Sequence, residues 1–157
     1  MKSRLVSFSL LAVVLLAGSV PVQASSVPII QGQVSAIELC PQSICQVAVF
    51  TGFFVGRVGF KPSAVGFISV AANHDPLPTT PFVPVGITDG DWSLRLLSGR
   101  RITGSVGEGS TLTLVDTDLY AVHVEMEIDS GGIGNVTFDG FLSHRVFPPQ
   151  LFGDIDQ

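Results

Sequence analysis

From Ala121 to Ile128 the chain reads apolar on every second residue: Val122, Val124, Met126 and Ile128 alternate with Ala121, His123, Glu125 and Glu127. Val136, Phe138, Gly140 and Leu142 repeat the pattern against Thr137, Asp139, Phe141 and Ser143. So do Leu112 and Leu114 between threonines, and Trp92, Leu94 and Leu96 around Ser93 and Arg95. A period of two places one set of side chains in a core and the other in water, the signature of half-buried antiparallel strands. No comparable 3.6-residue stripe follows the N-terminal segment, so the chain is expected to be all-β.

Strands are expected at 29–39, 46–56, 57–60, 65–71, 92–97, 100–106, 110–116, 119–129 and 135–145. Lys61-Pro62-Ser63, Ser98-Gly99, Gly107-Glu108-Gly109, Asp116-Thr117-Asp118 and Ser130-Gly131-Gly132-Ile133-Gly134 carry turn chemistry between them. Glycine within strands bears on the architecture. Gly52, Gly56, Gly59 and Gly66 punctuate one quarter of the chain, and Gly104 and Gly140 share the parity of buried residues. A glycine weakens a strand unless the sheet bends sharply or another backbone comes close, and closed barrels demand both. The expected fold is a small antiparallel β-barrel of about eight short strands, with a two-sheet β-sandwich as the alternative. An outer-membrane barrel is disfavoured: His, Glu, Asp and Thr occupy the non-core parity of 119–129 and 135–143, one Trp and one Tyr cannot form aromatic girdles, and 151–157 reads as an acidic tail.

Lys2 and Arg4, an apolar run from Leu5 to Gly18, Pro21 and the small-residue site Val22-Gln23-Ala24 make residues 1–24 an expected signal peptide, cleaved before Ser25. The run is shorter than the ~20 residues of a membrane-spanning helix. Residues 25–157 then form one domain, exported to the periplasm or outside the cell. Cleavage removes two of eight basic residues and none of the thirteen acidic ones, leaving 6 − 13 = −7. So acidic a domain repels phosphate backbones and anionic membrane surfaces, and nucleic acid is not an expected partner. One lysine against five arginines in the mature chain suggests a GC-rich bacterial genome. In an oxidising compartment Cys40 and Cys45, four residues apart in Cys-Pro-Gln-Ser-Ile-Cys, are expected to form a structural disulfide.

The sequence carries no expected catalytic, cofactor or metal site. There is no Gly-x-Ser-x-Gly elbow, and no Lys-Ser/Thr follows the glycines of 104–109. Thr88-Asp89-Gly90-Asp91 lacks the spacing of a calcium loop, and His74, His123 and His144 read as separate polar positions. Asn135-Val136-Thr137 matches a glycosylation acceptor, relevant only to a eukaryotic route. One connection stands out. Ala72 to Asp91 is long and holds Pro76, Pro78, Pro81 and Pro84, with His74 and Asp75 at its start and Asp89, Asp91 and Trp92 at its end. Stiff loops on a rigid β frame commonly bind ligands, so these five residues form the candidate binding loop. Trp92 also shares the parity of Leu94 and Leu96, which would make it core. The expected function is a non-enzymatic binding or surface-structural module with a small-molecule or protein partner at residues 72–91. The alternative is a small barrel enzyme or a carrier of a small apolar ligand, with Glu38 and Arg57 the nearest titratable groups at plausible core positions.

Overall fold

The computed structural model describes residues 30–42 and 46–157; the expected signal peptide, the Ser25 terminus and Cys45 lie outside the described residues. Nine antiparallel strands follow one another: β1 (Ile30–Cys40), β2 (Ala48–Val58), β3 (Lys61–His74), β4 (Pro84–Leu96), β5 (Arg101–Val106), β6 (Thr111–Asp116), β7 (Leu119–Ser130), β8 (Asn135–Ser143) and β9 (Gln150–Asp156). No helix occurs among the described residues. Apart from β5 and β6, each strand pairs with its sequence neighbours, and β9 closes on β1, with Ala36 opposite Leu151 and Gly32 opposite Ile155. The result is a closed up-and-down barrel rather than a sandwich.

Nine strands make eight staves because β5 and β6 lie end to end between β4 and β7. The C-terminal half of β4 pairs with β5 and its start with β6; β7 divides in the same order, its start pairing with β6 and its C-terminal part with β5. Between them Gly107–Ser110 bulges out of the ladder and is fastened by one hydroxyl. The buried Ser110 Oγ donates to the Gly107 carbonyl (2.9 Å) and accepts from the Glu125 N–H (2.9 Å).

Inward positions follow the expected alternation, with Trp92, Leu94 and Leu96, then Val122, Val124 and Met126, then Val136, Phe138 and Leu142 all buried. Glycine does what its inward parity implied. A methyl added at Gly104 would overlap the Glu127 carbonyl oxygen and the Trp92 ring nitrogen; at Gly32 or Gly56 it would meet the Phe54 ring; at Gly140 or Gly153, the Phe138 ring. Large rings therefore fill the bore because bare backbone faces them. Trp92, Phe54, Ile30, Leu94, Ile102, Met126, Val136 and Ile155 are nearly sealed from solvent. They belong mainly to the end where β1 begins and β2 finishes.

Several expected boundaries are corrected. Residues 57–60 are not a separate strand: β2 runs through Arg57 and Val58, and Gly59 turns at φ 61° into β3. The connection 72–91 is mostly ladder, with Ala72 opposite Gly90 and Asn73 opposite Asp89, so only 75–83 lies between strands. Residues 151–157 are no tail, since β9 buries Leu151 and Ile155 and completes the barrel. Arg57 is not in the core but exposed on the outer wall.

Candidate functional site

The opposite end of the barrel, where β1 finishes and β9 begins, is open. Small inward residues, Ala48 and Ala72, replace large ones, and a narrow apolar chamber of about 60 Å³ runs between Phe50, Val70, Met126 and Phe138. Above it a wider mouth of about 940 Å³ is lined by Leu39, Pro76, Leu77, Val146 and Phe147 among others. His74 and Leu142 form part of the wall of both. The rim is unusually apolar for a water-facing edge: Leu39 is 59% exposed and Phe147 96%.

Two titratable groups converge in this mouth. Glu38 continues the inward series Val34-x-Ala36-x-Glu38 on β1, and a register shift between Glu38 and Cys40 follows it. Its N–H donates to the Pro149 carbonyl (2.9 Å), and the residue is only 4% exposed. His144 continues Leu142 one step beyond β8, its N–H held by the Asp118 carbonyl (2.8 Å). Glu38 Oε2 and His144 Nε2 stand 3.3 Å apart, both atoms buried, without the alignment of a hydrogen bond to each other or to any other described group. Buried polar atoms are rarely left this way, because each lost hydrogen bond costs about 1–3 kcal/mol. Tyr120 packs its ring edge-on against His144, centroids 5.4 Å apart. Burial pushes the Tyr120 hydroxyl above its ordinary range, with the Asp118 charge adding to the effect.

The five residues of the expected binding loop separate. His74 lines the mouth; its N–H donates to Gln42 Oε1 (2.9 Å), which ties the β1–β2 connection to the end of β3. Its Nδ1 lies 2.6 Å from the Asp75 carbonyl, which only accepts, so Nδ1 carries the proton. The Asp75 N–H donates to the Gly86 carbonyl. Asp89 and Asp91 lie on the exposed parity of β4, with Asp89 accepting from Asn73 Nδ2 (2.7 Å). Thr88-Asp89-Gly90-Asp91 is thus strand, not turn. Trp92 is core, 2% exposed, donating Nε1–H to the Glu127 carbonyl (3.1 Å). Glu38 was legible from parity; His144 and Tyr120 were not, because nothing local links positions 38, 120 and 144.

His123 lies on the outer wall, with Nδ1 2.6 Å from Asp139 and Nε2 3.9 Å from Glu125, all partly or fully exposed. Among the described residues no three His, Cys, Asp or Glu side chains are grouped to hold a metal ion. No protein-family model, curated protein or solved structure matches the chain. The fold and the site therefore define a class: a closed up-and-down barrel, packed at one end, with an apolar mouth at the other that holds a buried carboxylate–imidazole pair.

Proposed function

We propose that the protein is an exported, non-enzymatic binding barrel that takes one small amphipathic molecule into its mouth. The apolar body of the ligand lies against the rim and upper chamber, and a hydrogen-bonding head group meets Glu38 and His144. One observation carries this reading: a carboxylate and an imidazole are buried together at an apolar opening with their facing atoms unsatisfied. A ligand hydroxyl or amine supplies the donor that the Glu38 carboxylate lacks, while the apolar rim gives burial worth about 25 cal/mol per Å². Of the segment 72–91, where the sequence leads one to expect the partner, His74, Pro76 and Leu77 line the mouth.

Export rests on the basic and apolar N-terminal pattern, and the Cys40–Cys45 bond belongs with it. Cys40 closes β1 at the rim, so the bond would staple the β1–β2 connection beside the mouth. Intact mass of exported material, before and after reduction, checks both the Ser25 terminus and the bond.

Binding is tested by calorimetric titration with a medium-chain primary alcohol, the corresponding amine and the corresponding acid. The alcohol or the amine is expected to bind, the acid to bind least, and Glu38→Gln to weaken the preferred probe about tenfold. Failure of all three probes to bind, or binding indifferent to Glu38 and His144 substitution, would falsify the reading.

A further inference from the structure

The outer wall is not uniformly wet. On β8, β9, β2 and β3 four rings stand in one row: Phe141 opposite Phe152, and Phe53 opposite Phe67, with Ser35 of β1 opposite both Phe152 and Phe53. The rings pair across their strands, with centroids 5.8 Å apart for Phe141–Phe152 and 5.1 Å for Phe53–Phe67. Between the two ridges runs a groove of about 410 Å³ floored by Ser35 and Gly153. The four phenylalanines are 42–57% exposed, and Val55 and Val65 extend the surface beside them.

We infer that this face, formed by β8-β9-β1-β2-β3, is the contact between two copies of the chain. The inference is independent of the mouth. Taking about 200 Å² for a whole phenylalanine side chain, the exposed rings and flanking valines present roughly 500–600 Å² of apolar surface. That approaches the lower end of what one partner contributes to a stable interface, about 600–1,000 Å². Charge indicates that the occupant is a second copy. The row of rings itself carries none, so two acidic chains can meet along it; Asp154, opposite Gln33, is the one charged group lining the groove. One flank is acidic, with exposed Asp139, Asp154 and Asp156 on β8 and β9; the other is basic, with exposed Arg57, Lys61 and Arg95 on β2, β3 and β4. A two-fold axis lying in the contact and parallel to β1 exchanges the flanks, laying the acidic edge of each copy over the basic edge of the other. A self-complementary patch of this kind is what an isologous dimer requires.

Sedimentation equilibrium of the exported protein over a concentration series tests this. The expected mass is twice that of the chain. Phe53→Lys combined with Phe152→Lys is expected to give the single-chain mass, with the far-ultraviolet circular dichroism and Trp92 emission unchanged. Because a double lysine variant could misfold, Arg57→Asp and Asp156→Arg supply a second arm: each is expected to weaken association about tenfold, and the two together to restore it. A single-chain mass at every concentration overturns the inference, as does a dimer indifferent to these substitutions. Flotation of the single-chain species with phosphatidylcholine vesicles also overturns it, since the face would then serve a lipid surface.

Discussion

At one end of the barrel Trp92 and Phe54 fill the bore against the bare backbone of Gly104, Gly32 and Gly56; at the other, Ala48 and Ala72 leave it open above Phe138. The same eight staves and the same alternation produce both ends, so topology does not set the difference. It lies in which inward positions hold rings, which hold glycine, and which hold small or polar side chains. The packed end satisfies every demand of a core: its aliphatic residues are sealed and its one ring N–H is bonded. The mouth leaves buried polar atoms unaligned and apolar rim residues in water. Departures from local consistency concentrate where a fold does something besides fold.

Trp92→Ala is the most direct way to break this contrast. Deleting a sealed indole and leaving the Glu127 carbonyl without its donor is expected to cost about 3–5 kcal/mol, read as a fall in the denaturant midpoint. As Trp92 is the sole tryptophan, the variant is followed by circular dichroism. A loss below about 1 kcal/mol would mean that the packed end is not the stabilising one. Gly104→Ala probes the same end from the backbone side. The new methyl overlaps the Glu127 carbonyl, and the strand must shift or the indole must move, for an expected loss of about 1–3 kcal/mol in the same assay.

The mouth is expected to respond in the opposite sense. Replacing Glu38 and His144 together by leucine removes a buried pair that is poorly aligned in the first place. Such replacements are typically neutral or stabilising by about 1–4 kcal/mol. Thermal unfolding of Glu38→Leu/His144→Leu is therefore expected to match or exceed the parent, while probe binding is lost. A variant less stable than the parent would show the pair to be structural, and the two ends to be alike.

Much of the packed end is readable from the chain alone, because its logic is local. Alternation names the inward residues of β4, β7 and β8, and Gly104 and Gly140 on inward parity announce backbone approached by rings. The mouth depends on closure, which alternation does not encode. Glu38 falls inward by parity, but its partner at 144 is brought there only when β9 slots between β1 and β8. That strand is hard to see: Leu151, Gly153 and Ile155 give it an inward face, while Asp154 and Asp156 give it the look of a solvated tail. The segment 84–91 misleads in a similar way. Pro84 and Asp-Gly-Asp read as loop, yet Pro84 sits at the first residue of β4, where a missing N–H is tolerated, and the ladder with β3 runs through Gly90.

Tyr120 sharpens the comparison by titration. It is the sole tyrosine, so phenolate absorbance reports it without interference. Burial and the Asp118 charge both favour the neutral hydroxyl, so its midpoint is expected above the ordinary value of about 10. A raised pKa for an acid means that the fold prefers the protonated form. The associated stability is complete below pH 10 and is lost as pH rises through the folded value. A midpoint at or below 10 would show the Tyr120–His144 corner to be open to water.

The smallest expected effect lies at the strap that holds His144. Arg145 Nε donates to the Thr117 carbonyl (2.8 Å) and its Nη2 to Asp116 Oδ2 (2.5 Å), while the adjacent His144 N–H is held by Asp118. The Arg145 hydrogen bond, then the Thr117 N–H and the Arg145 charge, hold the Asp116 carboxyl below its usual range. A depressed carboxylate contributes stability that is present above the unfolded value of about 3.9 and is lost as pH falls through the folded value. The pair is exposed, so water and salt screen it, and surface pairs of this kind contribute little. Asp116→Asn is accordingly expected to lower the melting temperature only slightly at neutral pH, with the difference from the parent fading below pH 3.9. Its sharper consequence is positional. Without Asp116, Arg145 keeps only its bond to the Thr117 carbonyl and fixes the chain beside His144 less firmly, and probe affinity at the mouth is expected to fall by more than the change in stability accounts for. Equal affinity in Asp116→Asn and the parent would show that His144 is placed by Asp118 and Tyr120 alone.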